Sequence, residues 1–445
     1  MAECTPDSVH STLSKHILAD GYEFVVDLDR SKGSRLHDSR ADRDILDMFS
    51  CFSSLPIGWN HPKLVAMEAR LGRIAVNNIT NSDLYSTEMA EAIDTIGRLA
   101  KPDHMSHMFF IAGGALGVEN SLKAAMDWKQ QDRTRKGLAG DDSSPMVSIA
   151  HFDEAFHGRT GYTMSLTNTD PAKTDRFAKF DWPRIPNPKI QFPINESESA
   201  RLDRVEAEAI DSLHSAADAT PDQIAGVIIE PIQGEGGDNH FRPQFLQAVE
   251  QATHDIGALF IVDEVQTGVG GTGKMWSYEH YGIKPDLLAF GKKMQICGIM
   301  GGAPITDNED NVFETSSRIN STWGGNLVDM VRGAACLEVI EEEDLLSNAT
   351  KVGGDLLKGL EELGQRHDII TNVRGKGLFA AFTLPNMAMR DTFRMQALDD
   401  GLLALNSGFD SIRLRPCLNL STDEADEALA IFEKTTKSIE SLQVA

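Results

Sequence analysis

Several apolar runs of strand length are each followed by residues that can do chemistry. After ALFIV come Asp263, Glu264, Val265 and Gln266, and after LLAF come Gly291, Lys292 and Lys293. AGVII leads into Glu230 and then Gln233-Gly234-Glu235-Gly236-Gly237. MFFIA leads into Gly113-Gly114-Ala115, where a helical pattern opens, and MVSIA into Phe156, His157, Gly158 and Arg159. In an open α/β sheet, ligands bind beyond the carboxyl ends of the strands, so these residues converge if the runs are neighbours. Pyridoxal-phosphate chemistry needs such a set. A lysine attaches the cofactor and an acid keeps its pyridine nitrogen protonated. A helix N-terminus takes the phosphate, and an aromatic face covers the ring.

Taken singly, each piece has an ordinary reading. A strand-terminal Asp often caps a helix, a Lys after a strand is often a solvated charge, and GGALG suits a tight turn. Phe156 suits a core and Arg159 an exposed ion pair. The case rests on their combination, each at a strand end. One decoy stands beside them. Gly268 to Lys274 imitates the phosphate loop GxxxxGK[ST], which keeps a nucleotide-binding protein as a remote alternative, but Met275 stands where the magnesium-binding hydroxyl belongs.

The elements that must position these groups are predicted by patterning. Short apolar runs alternate with helical stretches such as VENSLKAAMDWKQQ and PQFLQAVEQATHDIG, which predicts an α/β body with a mostly parallel sheet. Ahead of it, EFVVDL and ILDMFS read as strands separated by the polar stretch 29–44, and 165–203 reads as ordered loop. After Asn326 come two helices, the strand-like VRGKGLFAAFTL, GLLALNS and SIRLRP, and a final helix with a capping box at Ser421 and Glu424. The expected division is an N-terminal arm with part of the small domain (1–62), a large cofactor-binding domain (63–330) and a C-terminal α+β small domain (331–445).

Composition narrows the function classes. A formal charge of −25 argues against nucleic acid as partner. The five scattered cysteines contain no CxxC pair and read as reduced thiols, and the start lacks a secretory layout, so a cytoplasmic location is expected. No run approaches the ~20 apolar residues that cross a bilayer. The thirteen histidines show no metal spacing beyond His104 and His107, so no metal is expected.

The motifs resemble those of the class III (omega) aminotransferases, which implies the fold-type I architecture of PLP-dependent transferases. DEVQTG, the GK lysine after Pro285-Asp286 and a short strand, and EPIQGEGG carry the general likeness. GGALGVENSLKAAMDWK, AFHGRTGYTMSLTNTDP, KFDWPRI, GGDNHFRPQF, FGKKMQICGIM and NSTWGGNLVDMVR are similar to the branch acting on the terminal amine of L-lysine. The resemblance implies that Lys292 binds pyridoxal 5′-phosphate covalently and shuttles the proton, with Lys293 as its rival. Asp263 would pair with the pyridine nitrogen, Gln266 with the phenolic oxygen, Gly114 and Ala115 with the phosphate, and Phe156 with the ring face. Thr322 would reach the phosphate of a neighbouring subunit, making the protein a homodimer with shared sites. Arg159 would clamp the distal carboxylate of lysine. Arg413, rather than Arg415, would bind the α-carboxylate of 2-oxoglutarate, with Glu235 neutralising it meanwhile. The implied products are 2-aminoadipate 6-semialdehyde and glutamate, and the alternative donors are ornithine, 4-aminobutyrate and diaminobutyrate. Two departures are visible: GGALG replaces the common SGSEA, and Gly271 stands where the TGxxRTG loop carries Arg.

Overall fold

The computed structural model describes residues 4–138 and 147–444. The N-terminal segment forms β1 (Val26–Lys32), β2 (Arg35–Asp38) and β3 (Arg43–Asp47). The polar stretch 29–44, expected as a separator, therefore carries a strand of its own. Its side chains alternate too little for a period of two to show, because β2 is held by pairing with β1 and β3 rather than by one apolar face.

The body is a seven-stranded sheet. Its strands are β4 (Met105–Ile111), β5 (Ser148–Phe152), β6 (Arg184–Ile185), β7 (Ile224–Ile229), and, after a small hairpin of β8 (Ile232–Gln233) and β9 (Asn239–His240), β10 (Leu259–Asp263), β11 (Leu287–Phe290) and β12 (Cys297–Gly302). The order is β4-β12-β11-β10-β7-β5-β6. Every expected run became a strand; Met146, the first residue of MVSIA, lies outside the described residues. Only β12 runs against its neighbours. β7, β10 and β11 are buried along their whole length, as strands covered on both faces must be. The helix Gly114–Arg135 covers one face through Val118, Leu122 and Ala125. Helices Thr87–Leu99, Pro243–Asp255 and Leu327–Glu342 pack on the other through Ile96, Phe245 and Leu337.

The C-terminal part adds an antiparallel sheet of β13 (Thr371–Lys376), β14 (Phe379–Thr383), β16 (Leu405–Ser407) and β17 (Ser411–Leu414). The short β15 (Leu402–Leu403) leaves that region and pairs in parallel with β3, joining the N-terminal strands to the C-terminal part. The expected loop 165–203 is shorter than its polar composition suggests. The helix Glu196–Ala219 begins inside it, capped by Asn195, whose side chain accepts from Glu198 N.

β12 lies close to its surroundings because Gly298 has no side chain. A Cβ there would stand 2.0 Å from Phe109 O and 2.7 Å from the Phe290 ring. Gly298→Ala should therefore lower stability by about 1–3 kcal/mol, read as a shifted urea midpoint. An unchanged midpoint would show that the sheet spacing does not depend on this glycine.

Candidate active site

The carboxyl ends of β5, β7, β10 and β11 open on one cavity of about 990 Å³. Lys292, Asp263, Gln266, Gly114, Ala115, Phe156 and Arg159 all line it. The N-terminal segment closes another side with Ser54 to Trp59.

Lys292 lies two residues beyond β11, in a tight turn where its φ is 48°. Left-handed backbone is costly for a lysine, by roughly 1–2 kcal/mol, and persists where the surroundings over-determine it. Here Gln295 does so. Its N–H donates to Lys292 O at 2.8 Å. Its side chain donates to Ser54 O at 2.6 Å and accepts from Arg332 Nε at 2.9 Å. Burial, followed by the guanidinium groups of Arg413 and Arg415, brings the Lys292 amine down to about 8. The rival lysine is occupied elsewhere. Lys293 Nζ donates to Gln266 O at 2.7 Å and lies 4.8 Å from the centre of the Phe379 ring, away from the cavity lining.

Asp263 ends β10 and is buried. Its Oδ1 accepts from Val265 N at 3.0 Å, and its Oδ2 lies 2.8 Å from Nδ1 of the buried His157. His157 is not among the expected site residues, although it sits beside Phe156 just beyond the end of β5. Glu230, at the end of β7, also belongs to the lining: it accepts from Phe156 N at 2.9 Å and Gly234 N at 3.1 Å. Burial pushes its carboxyl up to about 7.

The helix Gly114–Arg135 starts at Gly113, whose φ of 102° turns the chain from β4 into the helix. The first acceptor, Gly113 O, takes Leu116 N and Gly117 N, so the Gly114 and Ala115 N–H groups are free for an anion. Gly158 packs so closely here that a Cβ on it would meet the Ala115 Cβ at 2.4 Å.

Gln266 Oε1 accepts from Arg413 Nη1 at 3.1 Å and from Arg415 Nη2 at 3.0 Å, leaving its amide nitrogen as the free donor. Arg413 is paired with Glu235 at 2.8 Å, whereas Arg415 is bound to Asp238 and stacks 3.8 Å over the Phe379 ring. Glu235 also takes the ammonium of Lys173, a residue of the stretch expected as loop and given no role by patterning. Arg159 is exposed at the cavity and has no ion-pair partner among the described residues. Thr322 lies on an exposed loop outside the cavity lining.

The decoy loop does not form a phosphate cradle. Val269 and Gly270 direct their N–H groups to Met275 O, and the next element is only the short turn Ser277–His280. Its glycines instead let the chain pass the C-terminal part. A Cβ on Gly270 would strike Leu346 and Leu418 at 2.9 Å, and one on Gly271 the Phe379 ring at 2.4 Å. Among the described residues no group of three or more His, Cys, Asp or Glu side chains suits a metal, and no helix is long and apolar enough to cross a membrane.

The cavity donors suit pyridoxal phosphate: a depressed amine, a carboxyl anchored by histidine, paired free N–H groups and an aromatic ring along one wall. Comparison with known proteins bears on the same point. The aminotransferase class-III family pattern matches residues 17–436. The L-lysine-epsilon aminotransferase of Streptomyces clavuligerus is 45% identical over 436 residues, covering 97% of this chain and 94% of that protein. The human mitochondrial 4-aminobutyrate aminotransferase is 32% identical, covering 93% and 85%. The solved structure of the M. tuberculosis lysine aminotransferase, in its internal aldimine form, superposes with a TM-score of 0.94 at 44% identity, covering 98% of this chain and all of that one. The chain therefore belongs to the class III aminotransferases.

Proposed function

We propose that the protein is an L-lysine 6-transaminase that passes the terminal amine of lysine to 2-oxoglutarate with pyridoxal 5′-phosphate as cofactor. The observation that carries this reading is Lys292, a half-buried residue whose amine is brought down to about 8, sharing one cavity with Asp263 and the free N–H groups of Gly114 and Ala115. The lysine aminotransferases of Streptomyces clavuligerus and M. tuberculosis, similar over nearly the whole chain, support lysine as donor.

When bound, the cofactor supplies an electron sink for breaking a C–H bond beside nitrogen. The chain's own residues do the rest. Lys292 Nζ accepts and returns the proton, a task suited to an amine whose ordinary basicity has been lowered. Asp263, oriented by His157, would hold the ring nitrogen, and Gln266 would donate its free amide N–H to the phenolic oxygen. Gly114 and Ala115 would hold the phosphate, with Phe156 against the ring. Arg159 would take the α-carboxylate of lysine at the far end, so that the terminal amine points inward. Arg413 would take the α-carboxylate of 2-oxoglutarate, and Glu235 would cover it while lysine is bound. Residues 63–330 would form the cofactor domain, with 1–62 and 331–445 supplying the arm and the small domain.

A homodimer would complete the phosphate site through Thr322 of a second copy. Exposed apolar side chains beside that loop favour an interface: Trp323 is 47% exposed, Leu84 58% and Tyr85 80%, and Trp323 O accepts from Asn81 N at 3.1 Å.

Amine acylation of the cofactor-free protein, with peptide mapping of the product, should label Lys292 increasingly as pH rises through about 8, because the lowered amine is neutral above that point. Labelling that begins only near the ordinary lysine value would contradict this. Lys292→Ala should reduce kcat by at least about 10³-fold; retained turnover in that variant, lost instead in Lys293→Ala, would shift the role by one residue. Arg159→Ala should raise KM for lysine about tenfold. A donor panel in which ornithine or 4-aminobutyrate exceeds lysine by kcat/KM would overturn the assigned substrate.

A further inference from the structure

Glu235 does not serve Arg413 alone. One carboxylate oxygen accepts from Arg413 Nη2 at 2.8 Å and the other from Lys173 Nζ. The two cations differ in exposure. The Arg413 side chain is only 3% exposed and is held additionally by Gln266, whereas Lys173 and Glu235 are 26% and 27% exposed. Lys173 ends the short turn Pro171–Lys173, capped by Asp170, and its ammonium stands 5.5 Å from the centre of the Phe156 ring. Lys173 is thus held between Glu235 and Phe156, which lines the cavity, rather than out in solvent.

This arrangement bears on how Arg413 is uncovered. Burial alone raises the Glu235 carboxyl, but Arg413 and then Lys173 outweigh it and hold the group below the ordinary carboxylate range. If Arg413 were its only partner, releasing Arg413 would leave a largely desolvated carboxylate without a counter-charge, which is costly. With Lys173 in contact, half of the pairing survives the release. One carboxylate between two cations also leaves a net positive charge, which favours an acceptor carrying two carboxylates.

We propose that Lys173 is a specificity-determining residue of the acceptor half-reaction: it retains Glu235 when the α-carboxylate of a dicarboxylic keto acid takes Arg413. This rests on the acceptor assigned above. Exposed ion pairs are worth up to a factor of about five in an equilibrium constant. Lys173→Met should accordingly weaken binding of glutarate, an unreactive dicarboxylate, about fivefold in calorimetric titration of the holoenzyme. KM for 2-oxoglutarate in the isolated acceptor half-reaction should rise by a similar factor. KM for lysine should change by less than about twofold, and Lys173→Arg should restore the acceptor constants to within about twofold. Unchanged glutarate and 2-oxoglutarate constants, equal losses with both substrates, or failure of Lys173→Arg to restore them would each overturn the proposal. If unaltered protein fails to turn over lysine with 2-oxoglutarate, the assigned reaction falls, while the glutarate titration still decides the role of Lys173.

Discussion

Burial of positive charge at one end of a parallel sheet is the constraint on which the site depends. Lys293, Arg413 and Arg415 are each at most 2% exposed, and Lys292 stands among them. An unpaired buried cation costs several kcal/mol, so the three buried ones each need an acceptor. Arg415 has Asp238, Arg413 has Glu235, and both share the Gln266 amide oxygen. Lys293 has the Gln266 carbonyl. Of these four, Lys292 alone faces the cavity without an anionic contact among the described residues, and its lowered proton affinity results from that placement.

The same network joins the two halves of the chain. Arg413 and Arg415 come from β17 and the segment after it, whereas Gln266, Glu235 and Asp238 come from loops at the ends of the large sheet. The Gly268 to Gly273 loop passes Phe379, Leu418 and Thr350 where any side chain would collide. Arg374 adds to the same seam, donating through Nε to Asp238 O at 2.9 Å. The seam behind Gln266, which lines the cavity, is consequently an interface between elements distant in the chain, and these ion pairs form only when both sides are in place.

Glu230 shows how one buried carboxyl links parts of the site. By accepting from Phe156 N and Gly234 N it fixes the loop carrying the aromatic ring relative to the loop carrying Glu235. The left-handed turn at Ser50 to Ser53 plays a comparable part at the entrance. It is held by Asp47, which accepts from the N–H groups of Phe49 and Ser50 and from the Trp59 indole, and by Ser50 Oγ, which donates to Arg415 O.

Residues lying within a few positions of a strand end were legible from the chain alone. An apolar run dictates where the strand stops, and chain connectivity delivers the next few residues to the sheet edge. Lys292, Asp263, Gln266, Phe156 and the helix start at Gly114 are of this kind. β2 and the start of the helix Glu196–Ala219 were not legible, since polar sequence conceals elements held by neighbours or by a cap. Partnerships were also decided only by the tertiary structure. His157 meets Asp263 from 106 residues away, Lys173 meets Glu235 across 62, and Arg413 meets Glu235 across 178. Local patterning carries no record of such pairs. They exist because folding removes water from these charges, and each must then find its partner within the protein.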